Sequence, residues 1–163
     1  MTVAEELELL GIEIGSEIDH LRQLKQQVDE AKLRLPEELD TYDLRSIAML
    51  LTEIYLSAEN LMKQIAKRLG EDIPTGGAWH QQLLTQFSTE APNLRPALFS
   101  PQTVKALDGF RRFRHVTHHV YAIQFDWMQM SPLLAQANAV LDEMITDTKS
   151  FKTFLALTND SEE

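Results

Sequence analysis

Two long runs of apolar residues at helical spacing leave this chain little choice of fold. Leu7, Leu10, Ile14, Ile18, Leu21, Leu24, Val28, Ala31 and Leu35 step by three or four residues, and Leu44, Ile47, Leu51, Ile54, Ala58, Leu61, Ile65 and Leu69 do the same. Side chains three and four apart share one face of a helix. Each run therefore predicts one long helix with a single inner stripe. Pro36 closes the first, and Gly11 and Gly15 are expected to fray its start. Asp40 or Thr41 is placed to cap the second and Gly70 to end it. The short connection between them predicts an antiparallel pair.

The remainder continues in helices. Ile73-Pro74-Thr75-Gly76-Gly77 is a loop signal, and a short helix carrying Trp79, Leu83, Leu84 and Phe87 is expected after it. The stretch from Ser88 to Ser100, with Pro92 and Pro96, reads as irregular. Ser100-Pro101 is a cap followed by proline at the first helical position, and Ser131-Pro132 repeats that signal for a last helix. The inner stripe of the last helix is Leu134, Ala137, Leu141, Met144, Thr148, Phe151 and Leu155. No internal repeat and no strand pattern is evident. The expected architecture is all-α: one domain over residues 1–157 as an antiparallel bundle of four to five helices, with a disordered tail over residues 158–163.

Composition narrows the function. A 44% apolar content supplies a core, but no apolar run reaches the roughly 18 residues of a membrane span. The acidic start, MTVAEELELL, lacks the layout of a secretory signal. The absence of cysteine excludes disulfides and thiolate metal sites, and fits a cytoplasmic protein. A net charge of -10 argues against broad, nonspecific nucleic-acid binding, which relies on summed basic charge. Any such binding has to be local.

One place offers it. Arg111-Arg112-Phe113-Arg114-His115-Val116-Thr117-His118-His119-Val120-Tyr121 packs three arginines and three histidines into eleven residues of the fourth helix. At roughly 100° per residue, Tyr121, Arg114, His118, Arg111, His115, His119 and Arg112 share an arc of roughly 180°, with Phe113, Val116 and Val120 opposite. For any single residue a solvated basic face or a structural histidine is the plainer reading. The concentration is what calls for an anion, because packed cations repel. Asp108 and Asp126 are too few to neutralise the cluster locally. Arginine binds phosphate oxygens with a fork of donors, and histidine moves protons near neutral pH. A metal site is the weaker alternative: His115 and His119 have ligand spacing, but there is no HExxH pattern and the neighbouring arginines repel a cation. No cofactor is expected, since Gly76-Gly77 lacks the lysine and hydroxyl residue of a phosphate loop.

Arg114, four residues, His119, one residue and Tyr121 resemble the Arg-x4-His-x-Tyr signature of HepT toxins in the HEPN superfamily of ribonucleases. The wider pattern is Arg, four to six residues, His, with a polar residue often just after the Arg; His115 fills that place. Arg112 with His118 or with His119 also falls in that range, but only Arg114 with His119 places the tyrosine. The resemblance extends to the setting, an all-α domain with the motif in the penultimate long helix, and covers roughly Leu7 to Leu157.

The resemblance implies a HEPN-like bundle forming two-fold dimers whose motif residues meet in a shared cleft, and a metal-independent endoribonuclease acting on tRNA or mRNA. It implies a partner, an MNT-type nucleotidyltransferase antitoxin that transfers AMP to Tyr121, with a higher assembly between toxin and antitoxin as a further expectation. Arg114 and His119 become the expected catalytic pair, with His115, His118, Arg111 and Arg112 binding substrate or assisting. A non-catalytic HEPN-like nucleotide-binding or scaffold module, and a plain helical oligomerisation protein, are the alternatives. Trp79, Phe87, Phe110, Phe113, Trp127, Phe151 and Phe154 are most simply core or dimer contacts. His80 reads more readily as a surface or capping residue than as part of the cleft. Glu53 and Glu59 are candidates to pair with motif arginines.

Overall fold

A computed structural model describes residues 1–117 and 125–161. Five helices follow in order: α1 (Val3–Leu33), α2 (Thr41–Leu69), α3 (Trp79–Phe87), α4 (Pro101–Thr117) and α5 (Trp127–Asp160). Among the described residues the only extended pairing is a single bridge between Ala91 and Arg95. The all-α expectation holds, and both long stripes face inward except at the end of the first, where α1 stops at Leu33 and Leu35 is 37% exposed. Leu7, Leu10, Ile14, Ile18, Leu21, Leu24 and Val28 are buried on α1, and the predicted stripe of α5 is buried from Leu134 to Leu155. α1 packs chiefly on α5 and then on α2, and α2 also packs on α3, α4 and α5. As the central helix, α2 buries a second row beside the predicted one: Ala48, Tyr55, Glu59, Met62 and Ala66. No described helix is long and apolar enough to cross a membrane.

The helix ends follow local chemistry. Asp40 Oδ1 accepts from Asp43 N at 2.9 Å while Asp43 Oδ2 accepts from Asp40 N at 2.9 Å, a reciprocal capping box. Gly70 ends α2 with φ 72, a left-handed conformation that a side chain disfavours. Replacing Asp40 with alanine is expected to cost about 1 kcal/mol, the usual value of a lost N-cap, read as a fall in the thermal or urea midpoint.

Three expectations are corrected. Gly11 and Gly15 do not fray α1, which starts at Val3 under a Thr2–Glu5 capping box. A Cβ at Gly15 would meet only the flexible end of the Lys152 side chain from α5, 3.0 Å away at Nζ. The last helix starts at Trp127 rather than at Ser131-Pro132, because Asp126 Oδ1 caps Met128 N at 2.9 Å. Pro132 then lies inside the helix and denies the Met128 carbonyl its usual partner. At the other end α5 runs past residue 157 to Asp160, with Ser161 as its cap, so Thr158–Asp160 are helical rather than a disordered tail. Thr158 Oγ1 donates to the Phe154 carbonyl at 2.9 Å.

The irregular segment between α3 and α4 is held by one buried cation. Arg95 forks onto the Glu71 carboxylate, with Nη2 2.9 Å from Oε2, and its Nη1 donates to the Thr89 and Pro96 carbonyls at 3.0 Å. The guanidinium also lies over the Phe87 ring, 4.1 Å from its centroid. Leu98 N donates to the Phe87 carbonyl at 2.9 Å. Across the bundle, Asp147 of α5 accepts from Ser100 N at 2.9 Å and from Thr103 Oγ1 at 2.7 Å, fixing the start of α4. The orientation of α4 relative to α3 thus depends on few polar anchors.

Burial pushes the Glu71 carboxyl up, but hydrogen bonds from Arg95 and Gln86, with the charge of Arg95, outweigh it and hold the group below the usual carboxylate range. A carboxyl lowered in the folded state adds stability that is present above its unfolded value, about 4.3, and is lost as pH falls through the folded value. Glu71→Gln is therefore expected to lower stability at neutral pH and to reduce its loss on acidification below about pH 4. Urea unfolding at several pH values reads this directly. Parallel curves for the two proteins would contradict it.

Candidate functional site

The cationic helix face meets a buried carboxylate. Glu59, fully buried on α2, accepts from Arg114 Nη1 at 3.1 Å and lies 2.6 Å from His80 Nδ1, both through Oε2. Its other oxygen takes no hydrogen bond among the described residues and faces Lys63 Nζ at 3.6 Å. A carboxylate this far from water is tolerated only when cations and donors compensate it, and here three surround it. Two guanidinium or ring N–H groups converge on Oε2, so the 3.2 Å between Arg114 Nη1 and His80 Nδ1 is a contact between two donors sharing one acceptor.

Above this network lies a cavity of about 410 Å³, lined by Tyr55, Gly77, His80, Arg111, Arg114 and His115, among others. Tyr55 is fully buried and its hydroxyl donates to the His80 carbonyl at 3.2 Å. Burial, reinforced by the charge of Glu59, pushes that hydroxyl well above the usual tyrosine range, so Tyr55 acts as a neutral donor. Trp79 stacks on the His80 ring with centroids 3.6 Å apart, and Lys63 Nζ sits 4.3 Å from the Trp79 centroid. On α4, Arg111 Nε donates to Asp108 Oδ1 at 2.9 Å. The opposite face of α4 buries Leu107, Phe110 and Phe113, which fixes its rotation.

The predicted residues therefore separate. Arg111, Arg114 and His115 line the cavity, whereas Arg112 is 70% exposed and only approaches Asp108 at 3.5 Å. His118, His119 and Tyr121 lie outside the described residues, as does Val120. Val116, expected on the apolar back, is 44% exposed. Local neutralisation is greater than the nearby sequence implies: Asp108 serves both Arg111 and Arg112, and Glu59 reaches Arg114 from another helix. Asp126 instead caps α5. Of the two acidic candidates on α2, Glu59 makes the pairing and Glu53 lines a separate groove near the α1–α2 connection.

His80 is the residue that sequence reasoning undervalued. It lines the cavity and contacts both Glu59 and Arg114. The available signal is on α2: Tyr55, Glu59, Met62 and Ala66 recur at helical spacing, which places a carboxylate inside an apolar row. A buried acid demands partners, and the nearest donors in sequence terms are remote. Among the described residues no group of histidine and carboxylate side chains is arranged to hold a metal ion.

The described residues form an all-helical bundle with a pocket lined by arginine and histidine, side chains that can donate to phosphate oxygens. The family model for HepT-like proteins matches residues 46–155, well over half of the chain, and this protein belongs to that family, within the HEPN superfamily. The matched span runs from α2 into α5 and takes in Glu59, His80 and the whole Arg/His cluster. Family membership points to a HEPN-type ribonuclease toxin. Curated proteins and solved structures give no match to the chain.

Proposed function

We propose that this protein is an endoribonuclease toxin that cleaves RNA, tRNA or mRNA, without a metal ion, at the pocket built on Arg114. The observation that carries this reading is the anchoring of Arg114 by buried Glu59 at the wall of a cationic cavity, next to Arg111, His80 and His115. An arginine fixed before substrate arrives stabilises charge developing on a phosphorane-like transition state without reorganising. Arg112, exposed and outside the cavity, is the weaker choice for that role. His119, five residues beyond Arg114, moves a proton for the attacking 2′-hydroxyl or the leaving oxygen. His115, His118 and Arg111 bind or orient the RNA.

A two-fold dimer doubles this set and concentrates positive charge in a chain whose net charge is -10. The neutralising partner is an MNT-type nucleotidyltransferase that adds AMP to Tyr121. A bulky anion added to the Arg/His cluster satisfies its cations and competes with RNA phosphate for them. The guanidinium groups of Arg111 and Arg114 in the pocket lining favour a phosphate over a metal cation, which they would repel. The site is proposed to act in the cytoplasm, where both RNA and ATP are available.

The test is product chemistry. Unmodified protein incubated with total RNA in excess EDTA is expected to leave fragments ending in 2′,3′-cyclic phosphates. Protein carrying AMP on Tyr121, verified by mass, is expected to leave the RNA intact. No cleavage by the unmodified protein across a broad RNA pool would transfer the reading to a non-catalytic HEPN-like nucleotide-binding or scaffold partner of the transferase.

A further inference from the structure

The motif helix is not the only source of a proton-transfer group. His80 is the second residue of α3, far in sequence from the Arg/His cluster, and two contacts hold its ring and a third its backbone. Nδ1 lies 2.6 Å from Oε2 of buried Glu59. The ring stacks on Trp79. The backbone is held by the Tyr55 hydroxyl on its carbonyl. An ionised carboxylate only accepts, so Nδ1 carries the proton and the neutral ring presents its lone pair at Nε2. No described residue bonds Nε2. The side chain is 29% exposed and lines the same cavity as Arg114.

A buried carboxylate that fixes the tautomer and orientation of an imidazole, with the second nitrogen open to a pocket, is the arrangement of a general base. We propose that His80 is that base in the RNA-cleavage reaction, with Glu59 as its positioning residue. The inference rests on the ribonuclease reading above. His80 Nε2 takes the proton of the 2′-hydroxyl. The freed O2′ pair forms the new bond to phosphorus as the bond from phosphorus to O5′ breaks. The leaving O5′ takes a proton from water, the hydroxide left behind recovers one from protonated His80, and the products are a 2′,3′-cyclic phosphate and a 5′-hydroxyl. Arg114 offsets the charge on the phosphoryl oxygens. The charged and titratable groups around His80 are Glu59, Tyr55 and, through Trp79, Lys63 from α2, with Arg111, Arg114 and His115 of α4 lining the same cavity.

His80→Asn is the informative variant. Its amide nitrogen can replace Nδ1 as the donor to Glu59, but it has no counterpart of Nε2. Cleavage in EDTA is expected to fall by about 10²-fold or more in both His80→Asn and His80→Ala. The acidic limb of the pH–rate profile should disappear with it, while thermal unfolding of His80→Asn stays near wild type. A merely structural histidine would be rescued by asparagine, so near-wild-type cleavage by His80→Asn overturns the inference and leaves the ribonuclease reading standing. Absence of cleavage by the wild type overturns both together. A measurement on the wild type does not depend on how the variants fold. On adding a uridine–vanadate complex, whose vanadium-bound O2′ stands where the attacking oxygen does, the His80 Nε2 nitrogen resonance is expected to shift at saturation. An unchanged resonance in the saturated protein overturns the assignment.

Discussion

Replacing Arg114 with alanine is expected to lower RNA cleavage by about 10²–10³-fold, the usual loss when one preorganised charge-stabilising group is removed from a transition state. The loss should fall on the rate of the chemical step more than on RNA affinity, because Arg111 and His115 remain in the cavity. Arg114→Lys should recover little of it. The guanidinium bonds Glu59 through Nη1 and keeps other donors for phosphate, and a single ammonium cannot reproduce both in fixed geometry. His119→Ala is expected to lose about 10²–10⁴-fold, in keeping with removal of a general acid or base. Arg112→Ala should change cleavage only slightly, since that side chain is largely in solvent. A double loss in Arg114→Ala/His119→Ala no greater than the larger single loss would show the two acting on one step.

The largest effect on stability is expected at Arg95. Its side chain is 1% exposed and paired with Glu71, itself 12% exposed. Arg95→Ala leaves that carboxylate without its cation and the Thr89 and Pro96 carbonyls without their donor. Breaking a buried pair from one side costs about 3–5 kcal/mol. For a domain of this size that is a fall of roughly 10 °C in the unfolding midpoint. Arg95→Lys should fall between wild type and alanine, since an ammonium keeps the charge but not the fork. Function should suffer too, because this segment links the helices that carry His80 and Arg114. Thermal unfolding of the three proteins checks the order. A loss below about 1 kcal/mol for Arg95→Ala would indicate that the pair behaves like an ordinary surface bridge.

The helices were legible because their period is written into the chain. Every residue of the α1 stripe from Leu7 to Val28 is buried, and Asp40 and Gly70 bound α2 as their chemistry predicts. Boundaries failed where a competing cap was available: Asp126 started α5 one turn before Ser131-Pro132, and Thr2 held the α1 start despite its glycines. Half of the candidate site was legible in the same local way, since Arg111, Arg114 and His115 share one face of α4. The other half depends on pairings remote in sequence. Arg114 meets Glu59 across 55 positions and His80 across 34, and no spacing rule in a single chain encodes which helices face each other. Glu59 was a candidate because arginines need acids; His80 was set aside because a lone histidine beside a tryptophan carries no signal until its carboxylate is in place.

The most direct measurement is cleavage of total RNA in excess EDTA by unmodified wild type, Arg114→Ala, His119→Ala and Arg112→Ala, with an unmodified Tyr121 verified by mass and the transferase absent. Cleavage by wild type and by Arg112→Ala, lost in Arg114→Ala and His119→Ala, is the predicted result. Cleavage that survives in Arg114→Ala, or that requires an added metal ion, would contradict a metal-independent site built on Arg114 and Glu59.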